Sequence, residues 1–272
     1  PDLICGTSIG ALVGACHLVG RLDLLEALFN ELKPQDVIRH LDISLIRGSG
    51  LVEGSKIIRY FRDQIGDLQI EKLPKRFAAI ATDLDTGREV CLTHGSLWDA
   101  IRASISLPGI FMPVQLSGRW LVDGGLVNPV PVSTCRALGG DVVLAVNLNE
   151  STVWPRFAAT PGARRGGRGD RIRERLFRHL PDNLKDSAES VVNRFFGPEG
   201  SPGFLDVLTG SLNIMQAHTA RSQLAGAPPD VLLIPRVADI GILEFHKGEQ
   251  AMSEGRACVR RSLSSLQEVL NL

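Results

Sequence analysis

Leu3-Ile4-Cys5-Gly6-Thr7-Ser8-Ile9-Gly10-Ala11-Leu12-Val13-Gly14-Ala15-Cys16 is the stretch on which the fold turns. The apolar run Leu3 to Cys5, ending at Gly6, reads as the end of a buried parallel strand. Ala11 to Cys16 is apolar on every side, as a helix inside a core is. Between them Gly6-Thr7-Ser8-Ile9-Gly10 fits the G-x-S-x-G pattern. When a strand precedes that pattern and a helix follows, the turn is sharp, small residues flank it, and Ser8 is pushed out at the end of the sheet. The helix then points its N-terminus at the reacting centre, where the Ile9 amide can donate to an oxyanion. The same five residues also fit a serine that merely caps a helix after a glycine turn.

Working outward, Asp23 to Leu32 has helical apolar spacing that ends at Pro34. Ser55 is placed to cap a helix carrying Ile57, Ile58, Phe61 and Ile65. Phe77 to Thr82 reads as a second buried strand, turned by Asp85-Thr86-Gly87 into a strand over Glu89 to Leu92. Ser96 caps a helix from Leu97 to about Ser104, which stops before Pro108. Further strands are expected at Trp120 to Val122, Asp141 to Leu148 and Val231 to Ile234. Strands alternating with helices predict an α/β domain on a largely parallel sheet.

With 272 residues the chain can form one large α/β domain or two small ones. Lys+Arg and Asp+Glu balance at 30 each, so no net field directs the chain to nucleic acid. Aromatics at 5% are too sparse for a base-stacking surface. No apolar run reaches the roughly 18–20 residues of a spanning helix. The cysteines Cys5, Cys16, Cys91, Cys135 and Cys258 form no zinc spacing and read as buried thiols of a reducing, cytoplasmic compartment. The stretch 151–202, with its Arg/Gly-dense Ala163 to Arg178, reads as an insertion within the domain. One reading is a solvated loop; the other is a lid or a peripheral membrane contact, aided by Trp154 and Phe157.

A serine nucleophile needs a base. Of the six histidines, His17, His40, His94 and His179 have no obvious place beside Ser8. His218 and His246 come late enough for a Ser–Asp–His order. Asp123 follows the strand at Trp120 and precedes Gly124-Gly125, where backbone can approach closely. That pattern serves a cleft carboxylate or an ordinary Asp-Gly turn equally well. Asp83 and Asp85 read as turn residues and not as a metal pair, and no metal or cofactor is expected. Pro129 and Pro131 stiffen the chain leaving Asp123.

Taken in order, these segments resemble the patatin-like phospholipase family, and within it the bacterial branch related to neuropathy target esterase. The matching pieces are Gly6 to Gly10, Ala81 to Gly87, Arg102-Ala103-Ser104 through Phe111, Asp123-Gly124-Gly125, and Asp239 to Phe245. The resemblance implies a three-layer α/β/α fold with a mainly parallel sheet. It also implies a Ser–Asp dyad without catalytic histidine, with Ser8 as nucleophile and Asp123 as proton acceptor. The implied reaction is hydrolysis of phospholipid or lysophospholipid acyl esters through an acyl-enzyme. The family carries a Gly-rich oxyanion loop upstream of the serine, and this chain starts at Pro1 in mid-strand, so an N-terminally truncated domain is expected. The alternatives are an impaired, lipid- or partner-binding module, and a Ser-His-Asp esterase using His218 or His246.

Overall fold

The computed structural model describes residues 1–31, 54–150, 204–241 and 244–271. The main sheet is built on β2 (Arg76–Asp83), whose residues after Arg76 are all buried, so both of its faces are covered. β1 (Leu3–Thr7) pairs with it in parallel, with Thr7 opposite Ile80. β3 (Glu89–Leu92) pairs with it antiparallel over Ala79 to Thr82. β5 (Arg119–Asp123) also pairs antiparallel, with Asp123 opposite Ala81, and β4 (Val114–Leu116) flanks β5. A strand has two edges. Ala79 and Ile80 each pair with both β1 and β3, and Ala81 and Thr82 with both β3 and β5. So β1 and β5 lie on the same edge of β2, running toward each other and ending on adjacent rungs.

The chain is therefore α/β, but its main sheet is mixed where a mainly parallel one was expected. Two short connections explain this. After β2, Asp83 Oδ1 accepts the amides of Asp85 and Thr86 at 3.0 and 3.1 Å, and Gly87 takes φ 66°. That is an Asx-type turn, and it sends β3 back along β2. Between β4 and β5, Ser117 and Gly118 have φ 51° and 78°, the positive pair that a two-residue hairpin requires. The Ser-Gly pair was the sequence signal for β4, which the apolar pattern alone missed.

Helices α1 (Ile9–Leu18), α2 (Leu22–Glu31), α3 (Ser55–Ile65) and α4 (Leu97–Ser104) supply the main apolar cluster with Phe77 and Ala79 of β2. Phe61 of α3 stacks on Trp98 of α4, centroids 5.9 Å apart, and Trp98 Nε1 donates to Gly66 O at 2.7 Å. Burying side chains of this size stabilises by roughly 3 kcal/mol each. Ser96 caps α4 as expected, its Oγ accepting from Asp99 N at 3.3 Å. Ser55 does not cap α3: Gly54, at φ 68°, is the N-cap and Ser55 is the first helical residue.

β6 (Leu144–Val146) pairs in parallel with β7 (Val231–Leu233). The expected strand over Asp141 to Leu148 is thus only three residues long. Val143 and Ala145 pack with Val130, Val132 and Ala220, whereas Leu144 and Val146 are 43% and 52% exposed. A run that is apolar throughout in sequence is buried on one face only among the described residues. The remaining helices are α5 (Val132–Ala137), α6 (Phe204–Gly226), α7 (Gly248–Arg261) and α8 (Leu263–Leu270).

The chain divides into two compact units, Pro1–Val153 with Met215–Leu272, and Trp154–Ile214. Most of the second unit lies outside the described residues, as does the whole 151–202 stretch read as an insertion or membrane contact. His40, His179, Pro34, Ile242 and Leu243 do too. Among the described residues no helix is long and apolar enough to cross a membrane. Cys16 and Cys258 are buried and Cys5 and Cys135 partly so, but Cys91 is exposed, because it lies on the face of β3 opposite the partly buried Val90 and Leu92.

Candidate active site

Thr7 ends β1, and the next rung of that edge of β2 is already taken by Asp123. The chain must leave the sheet at Ser8, and it does so with φ 54° and ψ −124°. A positive φ on a residue with a side chain costs of order 1–3 kcal/mol. α1 starts immediately, the Ser8 carbonyl accepting from the Ala11 amide at 2.9 Å. The turn is tight enough that a Cβ on Gly6 would lie 2.5 Å from the Ala11 backbone. Gly10 is different: a Cβ there would meet nothing within 4 Å. Of the two glycines of the pattern, only Gly6 is demanded by packing.

Ser8 Oγ donates to Asp123 Oδ2 at 2.5 Å. Asp123 is wholly buried, while Ser8 is half-buried. Every polar group of Asp123 is held. Its amide donates to Ser106 O at 2.9 Å, its carbonyl accepts from Thr82 Oγ1 at 2.8 Å, and Oδ1 accepts from the Gly125 amide at 2.7 Å. A Cβ on Gly124 would run into the Ile80 carbonyl, and one on Gly125 would meet Asp123 Oδ1 at 2.9 Å. The two glycines therefore let this backbone close over the carboxylate. Burial pushes the Asp123 carboxyl up from 3.8 to about 6, against the hydrogen bonds from Ser8 and from the Gly125 amide, which pull it down.

The Ile9 amide is the first of α1 and has no hydrogen-bond partner among the described residues. It sits where the helix field favours negative charge. Thr7 Oγ1 donates to Asn128 O at 2.7 Å, tying the end of β1 to the turn that follows Asp123. None of the described histidines bonds to Ser8: His17 and His218 are exposed on α1 and α6, His94 pairs with Thr93, and His246 lies in a short turn.

Three residues that the patterns could not assign support the site. Ser104 Oγ accepts the Ser8 amide at 2.9 Å. Ser106 supplies the carbonyl that fixes Asp123. Arg102 donates to Ser106 Oγ at 2.7 Å and to Met112 O at 3.1 Å, with its guanidinium 5.8 Å from the centre of the Phe111 ring. It clamps the loop that carries Ser106. Their only sequence signal was membership in the Arg102 to Phe111 segment.

The family model for patatin-like phospholipase matches residues 1–136, which carry both Ser8 and Asp123. An uncharacterized NTE family protein of Mycobacterium tuberculosis is 33% identical over 97% of this chain and 83% of its own length. The chain belongs to the patatin-like phospholipase family. A second NTE family protein of that bacterium is 26% identical over 97% of this chain and 42% of its own. The mouse patatin-like phospholipase domain-containing protein 7 is 33% identical over 54% of this chain and 11% of its own. As in the family generally, the activity implied is that of a lipid acyl hydrolase.

Proposed function

We propose that this chain hydrolyses carboxylic ester bonds of phospholipids or lysophospholipids, with Ser8 as nucleophile and Asp123 as proton acceptor. The 2.5 Å hydrogen bond from Ser8 Oγ to a wholly buried carboxylate carries the reading. A serine hydroxyl attacks only as its proton leaves, and Asp123 Oδ2 is already the acceptor of that proton. A base raised to about 6 remains ionised at neutral pH yet holds a proton better than a solvated aspartate.

In the first stage Ser8 Oγ bonds to the ester carbonyl carbon and its proton passes to Asp123. The carbonyl π electrons move onto oxygen, which accepts from the Ile9 amide. The intermediate collapses, the C–O bond to the leaving alcohol breaks, and Asp123 returns the proton to that alcohol. In the second stage water attacks the acyl-enzyme, Asp123 takes its proton, and collapse releases the carboxylic acid while the proton returns to Ser8 Oγ. Removing one oxyanion donor costs about 10²–10³ in turnover in sites of this type.

The test is labelling with a fluorophosphonate probe, alongside release of fatty acid from phosphatidylcholine and lysophosphatidylcholine. The parent chain should label and release, and Ser8→Ala and Asp123→Asn should do neither. Turnover that survives Asp123→Asn, or that vanishes with a folded His218→Ala or His246→Ala variant, overturns the dyad.

A further inference from the structure

The last rung of the β1–β2 ladder is not a backbone hydrogen bond. The Arg76 amide donates to Asp2 O at 3.3 Å, and Leu3 lies opposite Arg76. In a parallel pair such a residue donates to the carbonyl one position before its opposite number. It accepts from the amide one position after. Arg76, Ala78 and Ile80 are therefore the β2 residues whose amide and carbonyl both face β1. Ile80 is opposite Thr7, so its carbonyl faces the amide of Ser8.

The direct bond is replaced. Ser104 Oγ accepts from the Ser8 amide at 2.9 Å and donates to Ile80 O at 2.6 Å. Ser104 closes α4 and is fully buried, so water does not substitute for it. A hydroxyl is the smallest side-chain group that accepts and donates at once, which is what this place demands.

The geometry points to Ser104 as the positioning residue of the nucleophile: its hydroxyl is a spacer in the parallel ladder that frees Ser8 to leave the sheet and meet Asp123. This rests on the reading of Ser8 as nucleophile. Without the spacer there are two outcomes. The rung closes directly, the Ser8 amide being drawn onto the Ile80 carbonyl, which pulls the turn at Ser8 in toward the sheet. Otherwise the Ser8 amide and the Ile80 carbonyl stay buried and unpaired. Either one displaces Oγ from Asp123. The effect is on the reacting group and not on the binding of the lipid, because Ser104 is sealed from solvent.

Fluorophosphonate labelling rates of the parent, Ser104→Ala and Ser104→Thr, measured across pH, test this together with exchange of the Ser8 amide proton by NMR. Ser104→Ala should label about 10²-fold more slowly, with KM for lysophosphatidylcholine unchanged, and Ser104→Thr should recover most of the rate. The acid limb of the Ser104→Ala profile should also move above its parent position near pH 6, because the Ser8 hydrogen bond that lowers the Asp123 pKa is lost. A purely structural defect would leave that midpoint in place. Ser8 amide exchange should quicken about tenfold, the worth of one buried hydrogen bond.

Labelling within about twofold of the parent, or an unmoved midpoint, overturns the inference. Should Ser104→Ala not fold, Ser104→Cys decides. It has nearly the same size and a weak donor, so slowed labelling supports the spacer and parent-like labelling overturns it. Should the parent itself not label, the functional reading fails alone, and the exchange of the Ser8 amide still decides whether Ser104 holds it.

Discussion

Ser8 and Asp123 share a 2.5 Å hydrogen bond across a boundary: the serine is open to solvent on one side, and the aspartate is completely sealed. The proposed chemistry needs both conditions: a nucleophile must reach substrate, and a carboxylate base gains proton affinity by losing water.

That burial sets the pH dependence. Asp123 accepts a proton only when ionised, and its pKa stands at about 6. Ester turnover should fall about tenfold for each pH unit well below that value and level off above it. A profile of kcat/KM from pH 4 to pH 8 checks this. Full activity at pH 4.5 would remove Asp123 from the role.

The same shift makes Asp123 a burden on stability. Its folded pKa is raised, so the folded state keeps a proton that the unfolded chain has released. Stability therefore falls as pH climbs from about 4 to about 6 and stays down above that. The gap from 3.8 to about 6 corresponds to roughly 3 kcal/mol at pH 7. Asn at this position could accept the Gly125 amide and donate to Ser8, and it carries no such penalty. Asp123→Asn should be inactive yet more stable than the parent at pH 7, by up to roughly 3 kcal/mol, with the margin shrinking toward pH 4. Urea unfolding at the two pH values measures it; a less stable variant at pH 7 contradicts the assignment of cause.

The glycines of the turn should part company on substitution. Gly6→Ala drives a Cβ to 2.5 Å from the Ala11 backbone, which cannot step aside without moving α1. It should cost at least about 1–3 kcal/mol and abolish labelling of Ser8. Gly10→Ala meets nothing and sits in the first turn of α1, so thermal unfolding should show a gain of up to about 1 kcal/mol.

Arg102→Lys should reveal the clamp on the Ser106 loop. A guanidinium reaches Ser106 Oγ and Met112 O together and lies over Phe111, whereas an ammonium cannot reproduce that fork. A loss of about 1.5–3 kcal/mol is expected, with slower turnover through the Ser106 carbonyl that holds Asp123. Unchanged unfolding and turnover would show that the loop holds without it.

Much of this was legible beforehand. The triplet Leu3 to Cys5, the small residues around Ser8 and the apolar stretch after it announced β1, the turn and α1, because strand, turn and buried helix each impose composition over a few neighbouring residues. Ser96 announced the start of α4 for the same local reason. The turn at Asp85-Thr86-Gly87 was legible too, but the Ser117-Gly118 hairpin was not, and β6 is shorter than its apolar run because composition does not say which face is covered. Ser55 looked like a cap by type, but Gly54 took the position because its left-handed backbone suits glycine.

By itself the sequence determined the α/β class, the elbow at Ser8 and the candidate partners Asp123, His218 and His246, since these depend on residue type at short range. Which of them stands against Ser8 is a matter of tertiary structure. β1 and β5 end on adjacent rungs of one edge of β2, and that register, set by pairings scattered over the first 123 residues, seats Asp123 against Ser8 and leaves the described histidines elsewhere. The place of Ser104 was decided in the same way, because a hydroxyl becomes a spacer only when a helix end is packed against the last rung of a ladder.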